Sequence, residues 1–418
     1  TTSFTYHDGG LMASRTNPRG KTTTFEYDDL GRLVEETKPD GTSQRLTIIS
    51  ETDTATSTST TTSSITTELG RVTTFADRTT LWQGSQRTVR TTTTPDGAEL
   101  ETIQDEGGVS TTTRPDDAVT ETITGPDPRF GMEMAFAEEV TMTLPSGLQS
   151  ATTAERTTLP GPDAYTAQVT TTLTTNGLST TSEVDPFART LTTTTPLGRV
   201  SRDHFDERGH LIREERPGVA SREYSYDDRG RHLSTTQADQ IMTKTYDDQG
   251  RLASLTDALD RTSTFEYDDG GRLMAHVLPT EDRVEYGYDD NGNVVFIALP
   301  DGPTHTFEHD DLDRVTAYTP GGAEVDEGIY YTYDLDGQLA TVTQGDGDLL
   351  TYTYDDAGRL SSITAGDDRL GFAYAPWTGQ LVNMSGPHAG GPGDSIYFVS
   401  EYDGHLVAKT GNVAVAHP

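Results

Sequence analysis

The chain repeats a pair of carboxylates set in a tight turn with a cation. Asp28-Asp29-Leu30-Gly31-Arg32 after Tyr27 returns as Asp227-Asp228-Arg229-Gly230-Arg231 after Tyr226. Further copies are Tyr246-Asp247-Asp248-Gln249-Gly250-Arg251, Tyr267-Asp268-Asp269-Gly270-Gly271-Arg272 and Tyr354-Asp355-Asp356-Ala357-Gly358-Arg359. At Tyr288-Asp289-Asp290-Asn291-Gly292 the cation is replaced by Asn293. Adjacent carboxyls could divide acid and base work, as in glycoside hydrolysis. Recurrence argues otherwise, because it singles out no copy as a catalytic centre. In the structural reading the first Asp caps the turn. The arginine then pairs with a neighbouring unit's carboxylate along the sheet face. Exposed pairs of that kind contribute about 0.2–1 kcal/mol each, and a ladder of them would fix register. These residues are therefore read as structural repeat positions, with no catalytic, cofactor-binding or metal residue assigned.

Other chemistry is thin. Asp334-Leu335-Asp336-Gly337 and Gly345-Asp346-Gly347-Asp348 echo calcium loops but lack the downstream bidentate glutamate. The histidines show no pair at metal-ligand spacing, and His204, His232 and His309 read as tolerated substitutions at repeat positions. Trp82 and Trp377 are lone tryptophans, read as packing residues. The Asp-Pro pairs are Asp127-Pro128 and Asp185-Pro186, the second resembling a worn repeat turn.

The elements that must hold these turns are short strands. From residue 205 the units start at 205, 226, 246, 267, 288, 309, 333, 354 and 374, a step of 20 or 21 residues with one of 24. Met242, Lys244 and Tyr246 alternate with Thr243 and Thr245, the period of a strand. Leu252 opens the return strand, and Asp257-Ala258-Leu259-Asp260 makes a second turn. Other units use Pro39-Asp40-Gly41 or Pro300-Asp301-Gly302 there, since proline pre-sets φ and glycine accepts the corner. The glycines of the repeat turns (Gly31, Gly230, Gly250, Gly271, Gly292, Gly358) are expected at positive φ. The tyrosines are expected to stack on same-position residues of the next hairpin, as repeat arrays do.

Residues 48–200 replace the strand positions with threonine, a β-branched strand former. Turn remnants survive at Gly70-Arg71-Val72, Pro95-Asp96-Gly97 and Asn176-Gly177. This stretch is expected to be hairpins of the same array rather than a mucin-like stalk. Tyr27 to Phe205 spans 178 residues, about eight and a half units at the regular step. The organisation expected is thus 1–47 regular repeats, 48–200 degenerate repeats, 201–374 regular repeats and 375–418 an irregular cap. Residues 386–393 read as a flexible loop before a final hairpin from Tyr397 to Val407.

Composition agrees with an array that has no single deep core. Apolar residues are only 32% of 418, against roughly 45–50% in ordinary globular domains. With 67 acids against 31 bases the net charge is −36, which argues against a phosphate-binding surface. No apolar run approaches the roughly 20 residues of a membrane helix. There is no cysteine, so disulfides and thiolate metal sites are excluded.

Units of Tyr-Asp-x-x-Gly-Arg-Leu followed by a Pro-x-Gly turn resemble the YD-repeat, or Rhs-repeat, family. That family includes Rhs toxins, shell components of Tc toxins, wall-associated proteins and teneurins. The resemblance is strong over 1–45 and 200–360, weak over 46–199, and fades from about 375. It implies an all-β fold of antiparallel hairpins wound into a spiral sheet, hollow shell or fibre. Cargo-processing members carry a core with chain-cutting aspartates, which neither Asp-Pro pair here matches in position. The chain starts in mid-repeat without Met, so a piece of a longer secreted protein is expected.

The function expected is a non-enzymatic extracellular scaffold, bacterial and secreted or surface-displayed. One alternative is a toxin cocoon whose cargo lies beyond residue 418, and another an adhesin that binds a surface glycan. The expected partners are neighbouring repeats or copies of itself, with neither cofactor nor nucleic acid.

Overall fold

The computed structural model describes all residues except 83, 323–326, 376–377, 388–394, 404–405 and 416–418. Trp377 and most of the 386–393 loop therefore lie outside the described residues, and Trp82 closes the strand Val72–Trp82. The chain is all-β, and no α-helix occurs among the described residues. Strands pair antiparallel with their neighbours in sequence, as in Thr262–Tyr267 with Leu273–Val277 and then Leu273–Val277 with Arg283–Tyr288. Contacts divide the chain into two units. The first is Thr1–Val119, Leu144–Leu148 and Tyr286–Pro418; the second is Thr120–Thr143 and Gln149–Glu285.

The threonine-rich stretch is hairpin throughout its described residues. In the first unit Ser43–Asp53, Thr58–Thr66, Val72–Trp82 and Ser85–Thr93 pair in succession. In the second, Gly131–Thr143 pairs with Gln149–Leu159, and pairing continues to Val200–Phe205. Strands here reach 11 and 13 residues, against 5 to 7 in the regular array. The expected eight and a half units are therefore too many, because each hairpin is longer. Threonine hydroxyls meet across strands, for example Thr152 Oγ1 and Thr175 Oγ1 at 2.8 Å. Such pairs let a strand of small polar residues stabilise its neighbour without a deep core. The final hairpin is Ser395–Asp403 with Leu406–Val415, longer than expected from the sequence.

The regular units carry a recurring bulge that the alternation pattern does not reveal. Thr245 pairs with Ser254 but Tyr246 pairs with Leu252, so Ala253 is extra. The same shift recurs at Tyr27, Tyr226, Tyr267 and Tyr354. One extra residue bends the strand and increases local twist.

Candidate functional site: the turns and the seam between them

Each repeat turn is a five-residue loop closed by its own backbone. Asp247 N–H donates to Arg251 O and Gly250 N–H to Asp247 O, both at 2.9 Å. The return turns at the other end of the hairpins use the same loop, as in Thr67–Arg71 and Asp257–Arg261. The corner residue takes positive φ. All six repeat-turn glycines have it, from 77° at Gly31 to 96° at Gly292. Asp260 and Glu281 hold the same corner at 59° and 71° without being glycine.

The side chains complete the loop. Asp247 Oδ1 accepts from the Gln249 and Arg251 amides, and its Oδ2 accepts from Arg251 Nε at 2.7 Å. Those donors, the Arg251 amide first, hold the Asp247 carboxyl below its ordinary value. Asp28, Asp227 and Asp268 repeat the arrangement and the lowering. Asp355–Arg359 repeats the ion pair at 2.8 Å. This corrects the expected pairing: the arginine first binds its own turn's aspartate, because four residues of tight loop bring the two together. Where arginine is absent, Asn293 Nδ2 donates to Asp289 Oδ2 at 2.9 Å.

The tyrosine arrangement also differs from the expected ladder. Tyr267 lies over the preceding unit's Arg251, 4.7 Å from guanidinium carbon to ring centroid, and its hydroxyl donates to Leu252 O at 2.9 Å. Arg231–Tyr246 and Arg359–Tyr374 repeat the pair at 4.6 and 4.8 Å. Tyr226, Tyr246, Tyr354 and Tyr374 likewise donate to a backbone carbonyl of the preceding unit. The bulge makes this possible by moving the ring out of plain alternation toward the previous turn. Arginine thus joins its own turn to the next unit by a cation–π contact.

In the first unit the return turns of the early strands rest on the repeat turns of the late ones. Arg19 N–H donates to Asn291 Oδ1 at 3.1 Å, and its guanidinium donates to Asp310 O, His309 O and Asp313 Oδ1. Lys21 Nζ lies 2.6 Å from Asp311 Oδ1. Asp336 accepts from the Leu69 amide, the Thr67 hydroxyl and Arg71 NH1 at 3.0, 2.9 and 2.6 Å. Arg359 NH1 reaches Asp96 Oδ2 at 2.6 Å, and Gln380 Nε2 reaches Asp116 Oδ2 at 3.5 Å. The sequence separations of Arg19–Asn291, Leu69–Asp336, Asp96–Arg359 and Asp116–Gln380 are 272, 267, 263 and 264. A separation this constant is a register, and we call the contact line the seam.

The seam is partly dry. The Arg71 and Asp336 side chains are 14% and 6% exposed. Burial raises the Asp96 carboxyl, but the Thr94 hydroxyl, the Ala98 amide and the Arg359 charge outweigh it and leave it lowered. Asp289 and Asp313 are lowered by the same balance, with Asn293 and Asn291 the leading donors. Asp336, half of the calcium-like Asp334-Leu335-Asp336-Gly337, is occupied by Arg71. No cluster of three potential metal ligands occurs among the described residues.

The second unit holds a site that sequence reasoning missed. Asp127 is 1% exposed and binds Arg129 through backbone and side chain and Arg156 NH1 at 2.8 Å. The Arg129 side-chain bond, acting first against burial, holds its carboxyl far below the ordinary range. Arg156 also lies over Phe136 at 4.3 Å. Asp185, in the other Asp-Pro pair, caps its turn through the Phe187 and Ala188 amides.

A hairpin array whose turns lock to one another and to a distant arm defines a structural β-scaffold. Residues 1–392 match the teneurin YD-shell family, and the chain belongs to it. No curated protein sequence matches the chain. Among solved structures, the crystal structure of TcdB2-TccC3 without its hypervariable C-terminal region aligns with all of this chain and 31% of that one, at 13% identity and TM-score 0.44. The Photorhabdus luminescens Tc holotoxin pore aligns with 91% of this chain and 26% of that one, at 12% identity and TM-score 0.42. This chain therefore spans about a third of the length of the first of these structures. No helix among the described residues is long and apolar enough to cross a membrane.

Proposed function

We propose that the chain is a non-enzymatic wall segment of an extracellular or cell-surface bacterial protein, and that its repeat residues serve assembly of the wall. The observation that carries this is the seam. The Asp and Arg of the repeat turn, the most reactive-looking residues of the sequence, spend their hydrogen bonds on their own loop, the next unit and the stacked turn. A catalytic carboxyl needs a substrate within reach, whereas Asp247 and Asp355 are each held by two amides and an arginine. The acidic coat suits a large β-protein that must stay soluble and keep its edges from pairing with others. Its first partners on this reading are its own repeats. Tyr246, Tyr267, Tyr333 and Tyr374 offer little to a glycan, since each ring carries an arginine and each hydroxyl is engaged.

The test has two arms. In the first, the chain carrying Arg71→Ala and Arg359→Ala is digested with a protease alongside the parent. The expected result is cleavage in both 17–118 and 289–380, the two sides of the seam. In the second, the parent is offered a panel of polysaccharides and peptides, with no hydrolysis expected. Hydrolysis abolished by Asp247→Asn would overturn the reading.

A further inference from the structure

From residue 205 on, the repeat loses its period once, and a cavity opens there. The step from 309 to 333 is 24 residues instead of 20 or 21. The chain from 320 to 328 joins the strands Val315–Thr319 and Ile329–Tyr333, where 257 to 261 suffices between Leu252–Thr256 and Thr262–Tyr267. Val315 is also small for its position. It pairs with His309 as the leucines Leu252, Leu273 and Leu339 pair with Tyr246, Tyr267 and Tyr333. Within this part of the first unit the strands leave a cavity of about 630 Å³, inside the roughly 300–1,000 Å³ of small-molecule sites.

Its walls are aromatic and aliphatic. Ile297 lies opposite His305, and Phe307 opposite Tyr318. The Tyr318 ring stacks on Phe307 at 5.2 Å and on His305 at 5.9 Å, the second pair only 5° from parallel. These are the spacings of attractive ring pairs, so the walls are flat and held in place before anything enters.

The polar groups of the lining are few, and hydrogen bonds set their roles. Gly321 N–H donates to His305 Nδ1 at 3.4 Å, which makes that nitrogen an acceptor. The Tyr318 hydroxyl, 2.8 Å from it, then donates to it as well. The ring hydrogen therefore sits on Nε2, and no described residue accepts it. The Tyr333 hydroxyl is spent on Val315 O at 2.8 Å. With the imidazole neutral, no lining side chain carries a charge, so an ion would enter with its desolvation uncompensated. A sugar would press most of its hydroxyls against apolar walls, with a similar penalty.

We propose that this cavity binds a neutral, planar ring compound carrying a hydrogen-bond acceptor, its rings against Phe307 and Tyr318 and its acceptor on His305 Nε2–H. The site goes beyond the scaffold reading and fails separately from it, because binding here needs neither the seam nor any turnover.

The experiment is a fluorescence titration of the 418-residue chain with prodan, a neutral naphthalene bearing a ketone, whose emission moves to the blue in an apolar site. Naphthalene, which has no acceptor, serves as the competitor. The expected result is a saturable blue shift with one prodan per chain, reversed by naphthalene. Val315→Phe fills the cavity and should weaken prodan by about tenfold or more, with an unchanged circular-dichroism spectrum. Leu360→Phe, at the same repeat position two units on, should leave binding as it was. His305→Phe keeps the ring wall and removes the donor. It should weaken prodan about fivefold, the worth of one hydrogen bond, and leave naphthalene unaffected. If Val315→Phe alters the circular-dichroism spectrum, the comparison of prodan with naphthalene on His305→Phe decides alone. No saturable shift, a shift that Val315→Phe leaves intact, or one lost equally in Leu360→Phe overturns the proposal. So does a His305→Phe chain that binds both compounds as the parent does or weakens both alike.

Discussion

The two units are built from the same turn and use it differently. In the first, a return turn sits on each repeat turn from 289 to 380, and the turn tips lose exposure to it. In the second, the turn tips Arg208–Gly209, Arg229, Gln249 and Gly270–Gly271 stay in water, and a buried carboxylate, Asp127, is held locally between Arg129 and Arg156. One motif therefore carries two layers of information. The Tyr-Asp-x-x-Gly-Arg core closes the loop and links it to the next unit in both places. The variable third residue adds to the contact at Asn291 and Asp336, which accept from the return turn.

The largest effect expected of a single change tests the local site. Asp127→Ala leaves two guanidiniums facing a buried gap and should cost the second unit about 3–5 kcal/mol in chemical denaturation. A loss below about 1 kcal/mol would mean the arginines find water instead. Next, Arg71→Ala strips the main partner from a carboxylate that is 6% exposed, at a cost of about 3 kcal/mol. The matched change at an exposed tip, Arg229→Ala, should move stability by no more than about 0.5 kcal/mol. Equal effects at the two positions would break the comparison between the units. Gly358→Val, at φ 80° and with Arg71 packed 3.6 Å from where its Cβ would lie, should cost roughly 1–3 kcal/mol.

Acid should weaken the seam in a defined window. The folded carboxyls of Asp96, Asp289 and Asp313 are lowered, so they favour folding fully above the unfolded aspartate value of about 3.9. That contribution is lost as pH falls through their folded values, below about 3.9. A melting curve followed from pH 6 to pH 2 should therefore hold and then drop. A drop that begins near pH 6 would implicate other groups. The smallest effect is that of salt. At pH 7 the self-repulsion of 36 net negative charges should be screened before the half-buried seam pairs are, so the melting temperature should rise modestly. A steady fall would mean that the ion pairs dominate.

The sequence reveals what is local and periodic. Strand, turn and glycine corner follow from a few residues each, and all six glycines at positive φ were legible from the Asp-x-x-Gly spacing. Threonine strands were legible as hairpins because Gly70-Arg71 and Pro95-Asp96-Gly97 kept their turn chemistry. Hairpin length was not, since a run of threonine has no internal mark for where a strand should end. The pairing of Arg251 with Asp247 rather than a neighbour was misjudged because loop closure, not sheet spacing, sets that distance. The seam lay beyond reach, because its register near 263–272 residues depends on the summed lengths and bulges of all the hairpins between. A faint signal did exist: Asn291 and Asp336 depart from their neighbours at the position that faces the seam. Asp127 carried none, as its partner Arg156 is 29 residues away in a stretch with no regular repeat.

Hydrogen exchange at the Leu69 amide tests the seam most directly. That amide donates to the side chain of Asp336, 267 residues away in sequence, and to no neighbour in its own loop. Replacing Asp336 with alanine should speed exchange at residues 67–71 by an order of magnitude or more while leaving 227–231 unchanged. Unchanged protection at 67–71 would show that the return turn does not rest on Asp336, and would contradict the seam.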